Sequence, residues 1–151
     1  MNTQTRSCWP VLAQKARDAV TQAQTELAQA HEKAAQLQAS LDKVSKLYNE
    51  YRQQEMSPAT TGLGMQDRMN QRQFMNQLLS LQQRVVQDLG AAQSAVEKQR
   101  KKLILAELET QKMDKLVEND KQAVRKTLDR LDQARLDELG VMRFNNLRAT
   151  G

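Results

Sequence analysis

Apolar side chains recur at steps of three and four residues along almost the whole of this 151-residue chain. The first run of the pattern extends from Val11 to Met56, and the second from Asp67 to about Asn146. Alternating steps of three and four are the heptad pattern of a coiled coil. The sequence therefore predicts two long helices, each with a narrow apolar seam along one side.

The seam of the first run is rich in alanine, which predicts a close approach by a partner helix. Two consecutive steps of four, through Leu12, Ala16 and Val20, predict a stutter that locally unwinds the supercoil. The predicted seam positions are Leu12, Ala16, Val20, Ala23, Leu27, Ala30, Ala34, Leu37, Leu41, Val44, Tyr48 and Tyr51.

The second run is longer, and polar side chains interrupt its seam. Gln99, Thr110 and Asp120 fall on the periodic positions, a second stutter is predicted around Val85, and Gly90 is a candidate bend. The predicted seam positions are Phe74, Leu78, Leu81, Val85, Leu89, Ala92, Val96, Gln99, Leu103, Ala106, Thr110, Met113, Val117, Asp120, Val124, Leu128 and Leu131.

An uncharged stretch with Pro58, Gly62 and Gly64 separates the two runs. Proline and glycine break helices, and so short a connection favours antiparallel neighbours. We therefore predict an all-α fold, a long antiparallel two-helix coiled-coil hairpin whose second helix is longer than the first. The predicted divisions of this single domain, 1–151, are a head at 1–10, helix 1 at 11–56, a turn at 57–66, helix 2 at 67–146 and a tail at 147–151.

The hairpin leaves apolar residues over at both of its ends. Folding the chain back at the turn brings Leu12 level with about residue 111, so the second helix is predicted to overhang beyond it. Apolar residues of this overhang are Met113, Leu116, Val117, Val124, Leu128 and Leu131, the six singled out for partner binding, together with Leu136, Leu139, Val141, Met142 and Phe144. A second surplus near the turn includes three of the five aromatic residues and comprises Val44, Leu47, Tyr48, Tyr51, Phe74, Met75, Leu78, Leu79 and Leu81. This second group either plugs the end of the hairpin or binds a partner.

Composition and motifs argue against catalysis. Only 3% of the residues are aromatic, which argues against a thick globular core. No phosphate-binding glycine loop, metal motif or catalytic triad is present, so no catalytic, cofactor-binding or metal residues are predicted. His31, Cys8 and the pair Asp137 and Glu138 are interpreted as ordinary helix-surface residues.

The net charge of +5 comes from signs that are mixed along the chain. The densest basic stretch, Lys98, Arg100, Lys101 and Lys102, is interpreted as an outer face paired with Glu97 and Glu107 rather than as a phosphate site. The methionines around the turn, Met56, Met65, Met69 and Met75, are assigned to packing in preference to a partner site. No segment has the length and apolarity of a membrane span or a signal core, so a soluble cytoplasmic protein is expected.

Several short motifs together resemble the FliJ family, the soluble coiled-coil component of the bacterial flagellar export apparatus. The opening is Trp9-Pro10-Val11-Leu12 with Lys15, Ala16, Arg17 and Asp18. It is followed by Gln36-Leu37, Leu41 and Glu50-Tyr51-Arg52, and after the turn by Gln73-Phe74, Leu78 and Leu81. The last motifs are Lys112-Met113-Asp114-Lys115-Leu116 and Leu136-Asp137-Glu138-Leu139.

The resemblance implies a non-enzymatic export component shaped like the central stalk of rotary ATPases. Its expected partners are the export ATPase hexamer, the membrane protein of the export gate, and export chaperones that it escorts. The residues matching the gate contact are Val44, Leu47, Tyr51, Phe74, Leu78 and Leu81, whereas the ATPase is expected at the overhang. Nucleic acid is not an expected partner, and the membrane is reached peripherally, on its cytoplasmic side, through the partners.

Three alternatives stay open from the sequence. The chain could be a basic coiled coil that binds nucleic acid or an anionic membrane surface. It could be the equivalent stalk protein of a virulence type III secretion system. It could also be a self-associating rod in which the overhang pairs with a second copy.

Overall fold

Two helices make up nearly all of the structure, a computed structural model that describes residues 4–5, 8–57, 62 and 64–150. Helix α1 is Cys8–Met56 and helix α2 is Met65–Ala149. The two helices pair as a hairpin in which the second is longer, and the described ranges contain no strand. The predicted fold class is thus confirmed. The described helices include none that combines the length and apolarity needed to cross a membrane.

The chain divides into two compact units, and each contains a part of both helices. One unit comprises Met1–Thr21 and Leu105–Gly151, and the other comprises Gln22–Ile104.

Helix α1 begins three residues earlier than predicted, with Trp9 and Pro10 in its first turn, where proline is well tolerated. Half of the predicted turn, including Pro58, lies outside the described residues.

The seam of α1 follows an unbroken heptad. Its buried and half-buried residues are Ala13, Ala16, Val20, Ala23, Leu27, Ala30, Ala34, Leu37, Leu41, Val44, Tyr48 and Tyr51. The predicted stutter is wrong, because Ala13 and not Leu12 occupies the seam. Leu12 remains 39% exposed, whereas Ala13 is 2% exposed. The larger side chain is the more apolar of the two, but the smaller one continues the spacing of three and four.

The seam of α2 is also unbroken, and its register differs from the prediction in the same way. Met75 is buried where Phe74 was predicted, and Gln82 is half-buried where Leu81 was predicted. Gln82 Nε2 donates a hydrogen bond to Ser45 Oγ at 2.9 Å, which compensates its partial burial. With Gln82 in the seam, the stutter predicted around Val85 disappears. The helix also continues through Gly90 without interruption.

Ion pairs between the helices identify the register within each unit. If Ala13 and Met75 are taken as position a of their heptads, Arg17 and Asp114 both occupy e positions, with Nη1 and Oδ1 2.9 Å apart. Residues at e and g flank the seam and form the ion pairs between helices of a coiled coil. In the other unit Lys102 Nζ lies 2.8 Å from Glu26 Oε2, and both residues are at g. The hydrogen bond that Lys102 donates is the main cause that lowers the pKa of the Glu26 carboxyl, and the hydrogen bond from Gln22 is the second cause.

The observed register shortens the predicted overhang. Because Arg17 pairs with Asp114, the beginning of α1 lies alongside a later part of α2 than the fold-back estimate implied. Four residues assigned to the overhang are half-buried, namely Met113, Leu116, Val117 and Val124. Every residue from 128 to 150 is exposed. The expectation that α2 lacks a partner from Met113 onward is therefore wrong, and the exposed portion begins at Leu128.

Gln99 is a weak point of the α2 seam. Its Oε1 atom is buried and has no hydrogen-bond partner in the structure that is described. A buried acceptor without a partner costs about 1–3 kcal/mol. We therefore expect Gln99→Leu to raise the free energy of unfolding by about 1 kcal/mol, measured by urea denaturation. The matched change Gln93→Leu, at an exposed position, should leave it nearly unchanged, and equal effects of the two would contradict the assignment.

Candidate functional site

The six residues predicted near the turn divide into exposed and buried positions. Leu47, Phe74 and Leu81 are exposed, Val44 and Tyr51 are half-buried, and Leu78 is buried in the seam at 6% exposure. The three exposed residues share heptad position g, which borders the seam on a single edge of a helix pair. We call these three residues the g-edge patch. The side chain of Leu78 is inaccessible to a partner while the helices are paired.

An aromatic contact joins the g-edge patch to the seam. The ring centroids of Tyr51 and Phe74 are 4.9 Å apart, and the ring planes are tilted by 59°. Tilted rings at this separation are a favourable aromatic arrangement. Tyr51 therefore closes the seam, as the plug interpretation requires, while it holds the exposed Phe74 ring in place. The residues near the turn therefore divide into two parts: Tyr51 packs within the hairpin, and Phe74 faces solvent.

The second exposed apolar surface lies on the portion of α2 that begins at Leu128. Of the six overhang residues singled out for partner binding, Leu128 and Leu131 are exposed. Large apolar side chains that continue this surface are Leu136, Leu139, Val141, Met142, Phe144 and Leu147, all more than half exposed. We call residues 128–149 the terminal segment. Exposed apolar surface on this scale is typical of a binding surface.

The basic stretch behaves mainly as a charged outer face. Arg100 Nη1 pairs with Glu97 Oε1 at 2.9 Å, as predicted, but Lys102 pairs with Glu26 and not with Glu107. Lys98 and Lys101 line a shallow open groove on α2 together with Glu97, whose carboxylate is unfavourable for a bound phosphate. The geometry gives no support to a phosphate site here.

The residues considered for chemistry lie on the surface. His31 and Cys8 are both exposed, and the described part of the chain contains no group of three potential metal ligands. The sequence interpretation overlooked a different feature, the exposure of Leu105 and Leu108 on α2. Their signal was available in the sequence, because leucines at c and f lie opposite the seam of their own helix.

The structure defines a class, the antiparallel helical coiled coils, in which exposed apolar residues flank a thin seam. Within that class, the chain matches the family model described as "Flagellar FliJ protein" over residues 10–149, so it belongs to the FliJ family. Comparison with curated proteins and with solved structures gave no match. The FliJ family is a non-catalytic component of the flagellar, type III protein export apparatus.

Proposed function

We propose that this protein links the export ATPase ring to the export gate without catalysing a reaction itself. The observation that carries the proposal is that each compact unit has an exposed apolar surface of its own. The terminal segment belongs to one unit and the g-edge patch to the other. A chain with two separate recognition surfaces can bind two partners at once, which is what a linker requires.

The terminal segment is the proposed ATPase-binding surface. Of the six residues expected there, Leu128 and Leu131 are exposed and available. Met113, Val117 and Val124 occupy seam positions, and Leu116 is half-buried beside the seam. We therefore move the proposed contact toward the end of α2. Apolar anchors surrounded by charged residues are the usual composition of a protein interface, and both signs of charge occur in this segment.

The g-edge patch is the proposed contact with the gate membrane protein, which would hold the chain peripherally at the cytoplasmic side of the membrane. Phe74 is the best candidate for the main anchor, because its ring is exposed and is already fixed by Tyr51. Preorganised aromatic side chains dominate many interfaces. Escort of export chaperones completes the proposed role.

A triple variant, Leu47→Ala, Phe74→Ala and Leu81→Ala, tests the gate contact. We expect at least a tenfold loss of affinity for the cytoplasmic domain of the gate protein, since loss of buried anchors typically costs more than about 1.4 kcal/mol. Isothermal titration calorimetry measures this loss. Affinity for the ATPase should be unchanged.

The matched control for this variant is Leu79→Ala with Val86→Ala, two exposed apolar residues at e positions, on the other side of the seam. The control should retain gate binding. Equal loss in both variants, or full gate binding by the triple variant, would overturn the assignment of the g-edge patch. A lower helicity of the triple variant by circular dichroism would instead support a purely structural plug.

A further inference from the structure

The outer face of α2, opposite the seam, carries four exposed residues that have no role in the fold. Leu105 and Leu108 are 67% and 55% exposed, and Lys112 and Lys115 follow them along the helix. We call these four residues the outer stripe. Their heptad positions are c, f, c and f, so steps of three, four and three residues place them along one side of α2. All four belong to the unit that includes residues 105–151, and none belongs to the seam, the g-edge patch or the terminal segment.

The two lysines of the outer stripe are unused within the chain. Lys112 and Lys115 form no ion pair and no side-chain hydrogen bond with the described residues. Asp114 lies between them in the sequence, but it occupies position e and pairs with Arg17 of α1. Because this neighbouring carboxylate is already paired, the two ammonium groups are available to an anionic partner.

The row of c and f positions that contains the outer stripe has no acidic residue over a longer stretch of α2. Asn119 and Gln122 continue the row, so it is free of carboxylates from Leu105 through Gln122. Exposed carboxylates instead border the row, with Glu109 at g on one side and Glu118 at b on the other. The outer stripe is therefore a narrow apolar and basic strip between two acidic side chains.

We propose that the outer stripe binds an acidic amphipathic helix of a partner protein, which lies antiparallel to α2. Two apolar side chains of the partner pack on Leu105 and Leu108, and two carboxylates pair with Lys112 and Lys115. A partner helix with the pattern Glu-x-x-Glu-x-x-x-Leu-x-x-Leu has the required spacing of three, four and three residues on a single face. The stripe spans about 15 Å of helix, so about three turns of the partner suffice.

The antiparallel direction follows from the order of the residues in the outer stripe. Its leucines precede its lysines, so an antiparallel partner carries its carboxylates nearer its N-terminus and its apolar residues nearer its C-terminus. Carboxylates stabilise the N-terminal end of a helix through the helix dipole. The same carboxylates therefore stabilise the partner helix and pair with Lys112 and Lys115.

The width and charge of the outer stripe favour a helix over other occupants. A flat anionic membrane would approach Glu109 and Glu118 together with the lysines and would be repelled by them. A nucleic acid would meet the same carboxylates and would leave the leucines exposed. A second copy of the stripe would oppose leucines to lysines when antiparallel, and lysines to lysines when parallel. A packed helix contacts a narrow strip, so it reaches the stripe without covering both carboxylates.

Fluorescence anisotropy with the full-length protein and a labelled, helix-stapled peptide tests the proposal. The peptide has the pattern Glu-x-x-Glu-x-x-x-Leu-x-x-Leu, with alanine or glutamine at x. We expect saturable binding that weakens at least about tenfold in Lys112→Glu with Lys115→Glu, and also in Leu105→Ala with Leu108→Ala. A second peptide with lysines in place of both glutamates should bind the charge-reversed variant more tightly than it binds the unmodified chain.

Lys15→Glu with Lys43→Glu is the matched control, because it makes the same change in net charge at exposed positions of α1. This control should bind the first peptide as the unmodified chain does. No saturable binding, or equal losses in the control and the charge-reversed variant, would overturn the proposal. It would also be overturned if the charge reversal abolished binding to phosphatidylglycerol vesicles, or a dimer in sedimentation velocity, while peptide binding was unchanged.

The outer stripe is independent of the two surfaces in the proposed function. The substitutions at its four positions leave the g-edge patch and the terminal segment unaltered. Binding of the gate domain and of the ATPase should therefore be retained in both double variants, and its loss together with peptide binding would contradict a separate surface.

Discussion

Ending the chain at residue 127 is expected to abolish binding of the export ATPase while the remaining hairpin stays folded. The residues removed, 128–151, include the exposed apolar side chains of the terminal segment, and the described residues from 128 onward contribute no buried contact. Arg17 pairs with Asp114, and the seam residues that follow, up to Val124, are half-buried. Pull-down with the purified ATPase measures the loss, and thermal unfolding followed by circular dichroism confirms that the hairpin is intact.

A full-length variant separates recognition from chain length. Leu128→Asp with Leu131→Asp should weaken ATPase binding at least about tenfold, because charges would occupy apolar contacts. The matched pair Gln111→Asp and Gln122→Asp changes exposed polar residues outside the terminal segment to the same side chain and should have little effect. Full binding by the truncated chain, or equal losses in the two double variants, would contradict the placement of the ATPase on the terminal segment.

Ala23→Asp is expected to be the most destabilising single substitution that we propose. Ala23 is 1% exposed at the centre of an alanine-rich seam, so an aspartate there would bury a charge without a partner or force the helices apart. Either outcome should lower the free energy of unfolding by about 3 kcal/mol or more. Urea denaturation of the purified protein measures this change.

Ala28→Asp makes the same chemical change at an exposed position of α1. It lowers helix propensity equally but buries no charge, so its cost should stay below about 1 kcal/mol. A similar cost at Ala23 and Ala28 would mean that Ala23 is not enclosed by the partner helix. The heptad register of the seam would then be wrong.

The helices and the hairpin could be predicted because the spacing of apolar residues and the helix-breaking turn are local signals. The choice between adjacent seam residues could not be predicted in the same way. Favouring the larger apolar side chain selected Leu12 over Ala13 and Leu81 over Gln82. Gln82 is tolerated in the seam because Ser45 accepts its hydrogen bond, and that contact joins residues far apart in the sequence.

The register between the helices also depended on contacts that are distant in sequence. Counting back from the turn placed the beginning of α1 too early along α2, and the pair Arg17 and Asp114 shows the actual match. This error affected the candidate sites directly. It assigned Met113 to the overhang although it lies half-buried beside α1, whereas Leu128 and Leu131 were correctly expected to be exposed.

Near the turn, the sequence located the apolar surplus but could not divide it. Leu78 and Leu81 differ by one helical turn, yet one is buried and the other exposed. Three residues separate d from g in the heptad, so the distinction requires the seam register to be known within one residue. That precision came from the structure, and it reduces the proposed gate contact to Leu47, Phe74 and Leu81.

Cross-linking mass spectrometry of the complete assembly tests the central claim most directly. The full-length chain would be mixed with the purified export ATPase and the cytoplasmic domain of the gate protein, and cross-linked residues identified. We predict a complex of all three in which the amine of Lys126 and, with a carboxylate-directed reagent, Asp129 and Asp132 link to the ATPase, while Lys43 and Lys46 link to the gate domain. Links from both partners to the same part of the chain, or no complex at all, would contradict the proposal that one hairpin joins the two.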